Sequence, residues 1–479
     1  MYRGYRLHQC QFVAQTQPFV LVRSAAAPVS SGILLHPFTA GAIRHHRQVS
    51  SHHVTPAGKL YPVTGEQECY TEGMHSIKEI FKKGPGPSSS HTLGPMNAAL
   101  YMKHRHPQAD AWKVRLQGSL ALTGKGHLTD DILIRTLGPA TEVTFDLKGT
   151  PVHPNTMYIT ALQDGEELET VQFVSIGGGK LEINGVPAAN TPEIYPHSTM
   201  AAIRRWCKEQ DITLDQYVDM VEGPGLNDYL NDIMDAMLAS VREGLAAEGI
   251  LPGSLKLKRV AKELHEDALA CTDPDEIFHL LLASYAFAAS EQNAAGGFVV
   301  TAPTMGSCGI LPALIYHFLH DRNYSRAQLL KGLKVAGLVG NLIQTNATIS
   351  GAKGGCQAEV GAACAMGSAM IACAAGQSDG QVEYAAEMGL EHHLGLTCDP
   401  VGGYVMIPCI ERNAMAALRC VDNARLSRHI LRVKHERVSF DHVVEAMNIT
   451  GMKLPMELKE SSLGGLAVVI PDGCDSQGQ

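Results

Sequence analysis

Acidic residues are missing from the first 65 positions, which hold Arg3, Arg6, Arg23, Arg44, Arg47 and Lys59 but no Asp or Glu. That stretch is +6, and the rest of the 479-residue chain carries -15 within a total of -9. A basic, acid-free leader with Ser and Ala has the composition of an organelle transit peptide, here of mitochondrial type, and such a segment stands outside the fold. A merely disordered tail, and a cytoplasmic protein, is the plainer alternative. A secretory leader fits poorly, because Phe19-Val-Leu-Val22 is too short for an apolar core of roughly 7 to 15 residues. The net negative charge gives no reason to expect nucleic acid or an anionic membrane as a partner, since either favours a basic face.

Long apolar runs are also scarce. The longest, Val360 to Gly376, reaches 17 residues, at the short end of the roughly 17 to 25 that cross a bilayer. It is mostly Ala, Gly and Met, so a buried helix is expected rather than a membrane span. The 12 cysteines, with no secretory signal, do not suggest a disulfide framework and read as reduced thiols.

What is present is a core-forming chain, 45% hydrophobic, long enough for two or more domains. Residues 66–215 mix strand and helix signals: 113–122 alternates with period two, 140–147 is β-branched and aromatic in part, and His91 to His104 reads as a helix behind a Ser-rich cap. Leu226 to Glu248 is amphipathic and ends at Gly249-Ile-Leu-Pro-Gly253. Beyond it strand-like runs almost vanish. Helices are expected over 275–290, 326–344, 357–375, 380–393 and 408–424, lined with Ala and Gly that permit close backbone approach. The expected fold class is α+β and multidomain, with a small α/β domain (66–215), a larger all-helical domain (226–465) and a polar tail (466–479).

Cys356, Cys398 and Cys409 each border a Gly- or Pro-punctuated word: Gly-Ala-Lys-Gly-Gly-Cys356, Cys398-Asp-Pro-Val-Gly-Gly and Pro-Cys409-Ile-Glu-Arg. Thiolates from separate turns can converge on one soft metal centre, and three leave a position free for substrate where four would close it. Their spacing matches no short ferredoxin motif, so on spacing alone buried structural cysteines are the favoured reading. With Asn293-Ala-Ala-Gly-Gly-Phe-Val-Val-Thr-Ala-Pro-Thr304, Gly86-Pro-Ser-Ser-Ser-His-Thr-Leu-Gly-Pro-Met96 and Ser175-Ile-Gly-Gly-Gly179, these words resemble the iron-sulfur L-serine dehydratases over roughly residues 70 to 474.

That resemblance implies a 4Fe-4S cluster on Cys356, Cys398 and Cys409, no pyridoxal phosphate, and elimination of water from L-serine by a single chain with fused beta and alpha domains, acting as a homodimer. It also points to His127 as the Cα base, a role imidazole suits near neutral pH; a histidine that merely steadies its own turn through Asp130 is the bland reading. Lys125 is expected beside it in catalysis. Ser88, Ser89, Ser90, His91 and Thr92 form donors ahead of a helix, an arrangement that binds carboxylate, with Asn293 joining them. Members of the family can end in a cysteine that occupies the open iron, and Cys474 is the candidate, although five residues follow it. Cys308, Cys364, Cys373 and Cys420 read as packing residues, and Glu391, His392 and His393 as a helix-end network. Three rivals stay open: a pyridoxal-phosphate eliminase using Lys353, an L-cysteine desulfidase with the same cluster, and a non-catalytic amino-acid sensor.

Overall fold

A computed structural model describes residues 73–188, 191–434 and 437–470. The basic leader and Cys474 lie outside the described residues.

The first half is built on alternation. In β2, Trp112, Val114 and Leu116 are buried while Lys113 and Arg115 face solvent, the period-two pattern of a half-buried strand. The elements here are β1 (Lys83–Pro85), α1 (Gly94–Arg105), β2 (Ala111–Gln117), α2 (Ser119–Thr123), α3 (Thr129–Leu137), β3 (Thr141–Asp146), β4 (Thr156–Gln163), β5 (Glu166–Gly177), β6 (Lys180–Ile183) and β7 (Val186–Pro187). The alternation expected as far as residue 122 stops early, because Gly118 turns the chain at φ +60° and Ser119–Thr123 coil into α2. The expected helix at His91 starts at Gly94, and Ser89–Leu93 form a wider π-type turn.

Six strands form one sheet in the order β3-β2-β4-β5-β6-β7. Only β2 and β3 run parallel; Val114 pairs with Val143 on one side and with Ile159 of antiparallel β4 on the other. Helices α1 and α3 cover one face, where Ala98, Ala99, Met102, Leu133 and Leu137 pack on Trp112, Ile159 and Phe173. The Ser175–Gly179 turn is tied to α1 and to the loop before β4: Asn97 Nδ2 donates to Gly179 O (2.9 Å) and Asn155 Nδ2 to Ser175 O (3.2 Å).

The second body contains α4 (Met200–Gln210), α5 (Leu214–Glu222), α6 (Leu226–Ala246), α7 (Ala261–Ala270), α8 (Pro274–Ala294), β8 (Phe298–Val300), α9 (Ile310–His320), α10 (Arg326–Asn346), α11 (Gly351–Gly354), α12 (Val360–Ala374), α13 (Asp379–Glu391), α14 (Cys409–Ile430), α15 (Phe440–Lys453) and α16 (Leu466–Val469). Ser325, Ser378 and Ser439 start α10, α13 and α15 with capping boxes. Every residue of α12 except Cys373 is buried. The segment Cys356–Ala374 is apolar and long enough to cross a membrane, yet 89% of it is buried inside this protein, packed among its neighbours as a core helix. Close approach depends on missing side chains, since a Cβ on Gly332 of α10 would lie 2.4 Å from the Met370 carbonyl oxygen of α12.

The division at residue 215 is displaced. Met200, Ile203, Leu214 and Tyr217 of α4 and α5, and Met74, Ile77, Ile80 and Phe81 before β1, share the core of the helical body. Their apolar faces find partners there and not on the sheet, so the sheet layer is inserted into the helical body. β1 pairs antiparallel with β8, Lys83 opposite Val300, and this pairing carries the chain from the helical body into the serine-rich turn.

A candidate catalytic and metal centre

Two loops of the sheet domain are locked together. Thr92 Oγ1 donates to His127 O (2.7 Å) and Thr129 Oγ1 donates to His91 O (2.6 Å). The imidazoles of His91 and His127 consequently stack with centroids 4.4 Å apart, both buried. The loop of His127 meets the helical body without a gap: a Cβ on Gly126 would lie 2.4 Å from the Gly403 carbonyl carbon.

The hydrogen bonds fix both tautomers. His127 Nδ1 lies 2.8 Å from the Thr123 carbonyl, which can only accept, so Nδ1 carries the proton and Nε2 the lone pair. Ser119 Oγ spends its hydrogen on Glu460 O (2.7 Å), so at 3.0 Å His91 Nε2 is the donor to Ser119, and His91 Nδ1 accepts from Ser90 Oγ (2.9 Å). Both lone pairs lie near Glu460 Oε1, at 3.5 Å from His91 Nδ1 and 3.7 Å from His127 Nε2. Burial holds His91 well below the ordinary imidazole range and lowers His127 to about 4. Burial, with the nearby Glu359 and Cys356, pushes the Glu460 carboxyl well above its ordinary range. The His91 lone pair is already taken by Ser90 Oγ, so His127 Nε2 is the imidazole lone pair left facing the Glu460 carboxyl.

Glu460 is delivered by a strand-like clasp. Cys398 N donates to Leu458 O (2.9 Å) and Glu460 N to Cys398 O (2.7 Å). Further along, Ser462 Oγ donates to Pro400 O (2.6 Å) and Leu466 N to Asp399 Oδ2 (2.8 Å).

The three thiols meet at this clasp. Cys356 opens the short turn before α12, Cys409 is the first residue of α14, and Cys398 lies on the loop between. Together with Ser88, His127, Glu359 and Glu460 they line one tight cavity of about 10 Å³. The Cys398 thiol hydrogen-bonds Cys356 and, with Arg412 adjacent, holds Cys356 below the ordinary thiol range despite its burial. Cys398 is raised by its bond to Cys356 and by burial, and Cys409 by burial and the Cys356 charge. Arg412 is anchored through Nη1 to Thr397 O (2.7 Å). Convergent soft donors, one of them already favoured as thiolate and with a guanidinium beside it, suit a soft metal centre.

Other expected positions fall elsewhere. Lys125 is exposed and ion-paired with Asp130, because the turn that buries His127 points its neighbour outward. That pairing also removes Asp130 as the anchor of His127. Of the serine-rich run, only Ser88 lines the cavity; Ser90 and Thr92 tie the two histidines, and Ser88 itself caps the turn by accepting from His91 N (3.1 Å). Asn293 is a brace, its Nδ2 donating to Pro87 O (2.8 Å) and Met305 O (3.0 Å). Lys353 is exposed and outside the cavity lining. Cys308 packs with Leu93, Val299 and Met305, and Cys364 with Cys420 in the helical core. His392 and His393 bond back to the carbonyls of Met388 and Gly389, both at 2.7 Å. Glu359, Arg412, Ser119 and Glu460 escape sequence reasoning. Glu359 and Arg412 each follow a cysteine by three residues, a spacing that could have marked them, whereas Glu460 and Ser119 carry no such signal.

Comparison with known proteins agrees with the geometry. The family described as serine dehydratase beta chain matches residues 76–146, and that described as serine dehydratase alpha chain matches residues 198–467. The chain is 37% identical over 459 residues to L-serine dehydratase 2 of Escherichia coli (strain K12), covering 84% of this chain and 100% of that relative. The chain belongs to the L-serine dehydratase family. Other family members of similar extent are the L-serine dehydratases of Haemophilus influenzae, 35% identical over 83% of this chain and 99% of the relative, and of Streptomyces coelicolor, 35% identical over 82% and 99%. Both family matches begin after residue 65, so the basic stretch lies beyond them. The beta-type and alpha-type parts that these descriptions distinguish are joined here in one chain, and the cavity lies where they meet.

Proposed function

We propose that the chain is an L-serine ammonia-lyase that eliminates water from L-serine to give pyruvate and ammonia. One observation carries this reading: His127, from the sheet domain, lines the same buried cavity as Cys356, Cys398 and Cys409 from the helical body. The three thiols would hold a 4Fe-4S cluster, and the family membership supports that choice. Such a cluster, with one iron left open, supplies Lewis acidity toward the substrate hydroxyl.

The chain's own residues supply the proton chemistry. His127 Nε2, kept unprotonated by the Nδ1 bond to Thr123, takes the Cα proton. The Cα–H electron pair forms the Cα=Cβ bond as the Cβ–O bond breaks, and Glu460, which lines the same cavity with its carboxyl pushed toward the protonated form, would return a proton to the departing oxygen. The 2-aminoacrylate so formed tautomerises to an imine, which water converts to pyruvate and ammonia. Ser88 is the one member of the serine run placed to meet substrate in the cavity. Burial of both imidazoles excludes bulk water from the carbanion-like transition state.

Three further assignments belong to the same reading. Cys474, outside the described residues, is assigned by the family resemblance as the thiol that would occupy the open position when substrate is absent. The acid-free segment 1–65 is a mitochondrial leader, and the enzyme is a homodimer. Import assays and sedimentation of the processed chain test the last two.

The decisive test is anaerobic iron and sulfide analysis with pyruvate formation from L-serine before and after air. About four irons per chain, with activity lost alongside them, supports the lyase. Air-stable, iron-free turnover overturns it, and an intact cluster that acts on L-cysteine but not L-serine replaces it with a desulfidase.

A further inference from the structure

A second cavity lies at the far ends of the helices that begin at the thiol centre. Helix α12 starts just after Cys356 and contributes Ile371 near its end; α14 starts at Cys409 and contributes Arg425 and Arg428 in its last turns. At about 1.5 Å per residue, the run from Cys409 to Arg425 spans about 24 Å, so this cleft is separate from the catalytic cavity. This open cleft offers about 300 Å³, the lower end of the range that takes a small organic ligand.

Its chemistry is one-sided. Arg322, Arg425 and Arg428 line it with His317 and His429, and no carboxylate does. Among the described residues, none of these three arginines forms an ion pair. The Arg322 and Arg425 guanidiniums converge on the same ring, 5.6 and 5.2 Å from the Phe278 centroid. Two like charges drawn to one aromatic ring, with a third nearby on α14, repel one another until an anion joins them.

One of the three is held in place from beneath. His317 is buried, and its Nδ1 lies 2.8 Å from Asp321 Oδ2 while its Nε2 lies 3.2 Å from Arg322 Nε. Arginine can only donate, so Nε2 carries the lone pair and Nδ1–H donates to Asp321. Asp321 is also held by Tyr285 Oη at 3.1 Å. This buried chain fixes a guanidinium that a surface arginine would ordinarily leave free to rotate. The remaining walls are flat and apolar, from Phe318 and Tyr324, whose rings meet edge-on at 4.9 Å, and from Ile371 and Val421.

We propose that this cleft binds a small organic polyanion of the nucleoside-phosphate class, its phosphates on the three guanidiniums and its base against the aromatic wall. Guanidinium forks match phosphate oxygens in pairs, and aromatic edges accept a flat ring. Because the cleft is remote from the thiols, its ligand is an effector and not the substrate.

Isothermal titration of the full chain with ADP, inorganic pyrophosphate and adenosine, in low salt, tests this. ADP binding is expected, at least about tenfold tighter than pyrophosphate, with adenosine alone weaker still. Arg425→Gln combined with Arg428→Gln, two exposed positions outside the catalytic machinery, is expected to weaken ADP by at least about tenfold while pyruvate formation without ADP stays unchanged. Absence of ADP binding overturns the proposal. So does binding that the double substitution leaves intact, or pyrophosphate binding as tightly as ADP. Arg322→Gln serves as an independent variant, and ADP affinity unchanged in both variants assigns the binding to another site.

Discussion

Glu460 Oε1 lies 3.7 Å from His127 Nε2 and 3.5 Å from His91 Nδ1, although the clasp that carries it belongs to the helical body and both histidines belong to the sheet domain. The carboxyl therefore joins the two domains where His127 keeps a free lone pair, that of His91 being taken by Ser90 Oγ. Glu460→Gln keeps the shape and removes the transferable proton. The expected result is a fall in kcat of about 100-fold with KM changed less than about threefold and iron content unchanged. Equal turnover in the variant would remove Glu460 from the proton chemistry.

His127→Asn is expected to abolish turnover, by about 1000-fold or more, while leaving iron and sulfide at the level of the unsubstituted chain. Lys125→Ala is expected to change kcat by less than about twofold, because its ammonium is exposed and paired with Asp130. Steady-state kinetics beside iron analysis checks both, and a large loss on removing Lys125 would contradict its outward placement.

Stability of the cluster-free protein is expected to fall on acidification. His127 takes a proton only at about 4 in the folded chain, against about 6.5 when unfolded. Between those values the unfolded chain binds more protons, so stability is fully present above the upper value and is lost as pH falls through the window. His91 is shifted in the same direction. Each histidine contributes a slope of up to about 1.4 kcal/mol per pH unit. Urea unfolding from pH 7 to 4 measures it, and His127→Asn should flatten the curve.

Arg412→Met is expected to weaken cluster retention, because the guanidinium lies beside Cys356 and Cys409 and balances thiolate charge in a buried site. Iron loss to a chelator under anaerobic conditions should quicken several-fold. Unchanged loss would mean that the Thr397 bond is the whole of its role.

Gly332→Ala is expected to destabilise the fold by about 1–3 kcal/mol, since backbone and not a flexible side chain opposes the new methyl group. Thermal denaturation reports it, and a substitution without effect would show that α10 and α12 separate easily.

Long helices were legible because their periodicity and caps are local: Arg326–Asn346 was expected over 326–344, and Pro274–Ala294 over 275–290. The membership of α4 and α5 was not, because nothing in their own apolar stripes says which core will bury them. At the site, the thiols and His127 stood out as reactive residues beside Gly and Pro. Lys125 was misjudged for the opposite reason: adjacency in sequence says nothing about direction, and a turn sends neighbours to opposite sides. The serine run looked like a ligand cradle, yet most of its hydroxyls are consumed holding imidazoles. Glu460 stayed hidden because its importance comes from a pairing with Cys398 that no local pattern encodes.

The clasp also sets an order of events. During synthesis both histidines and all three thiols leave the ribosome before Glu460 does, so the pocket that they form stays uncapped while the chain is still growing. The last-made stretch of the described fold, seated along Cys398 and Asp399, then closes the pocket.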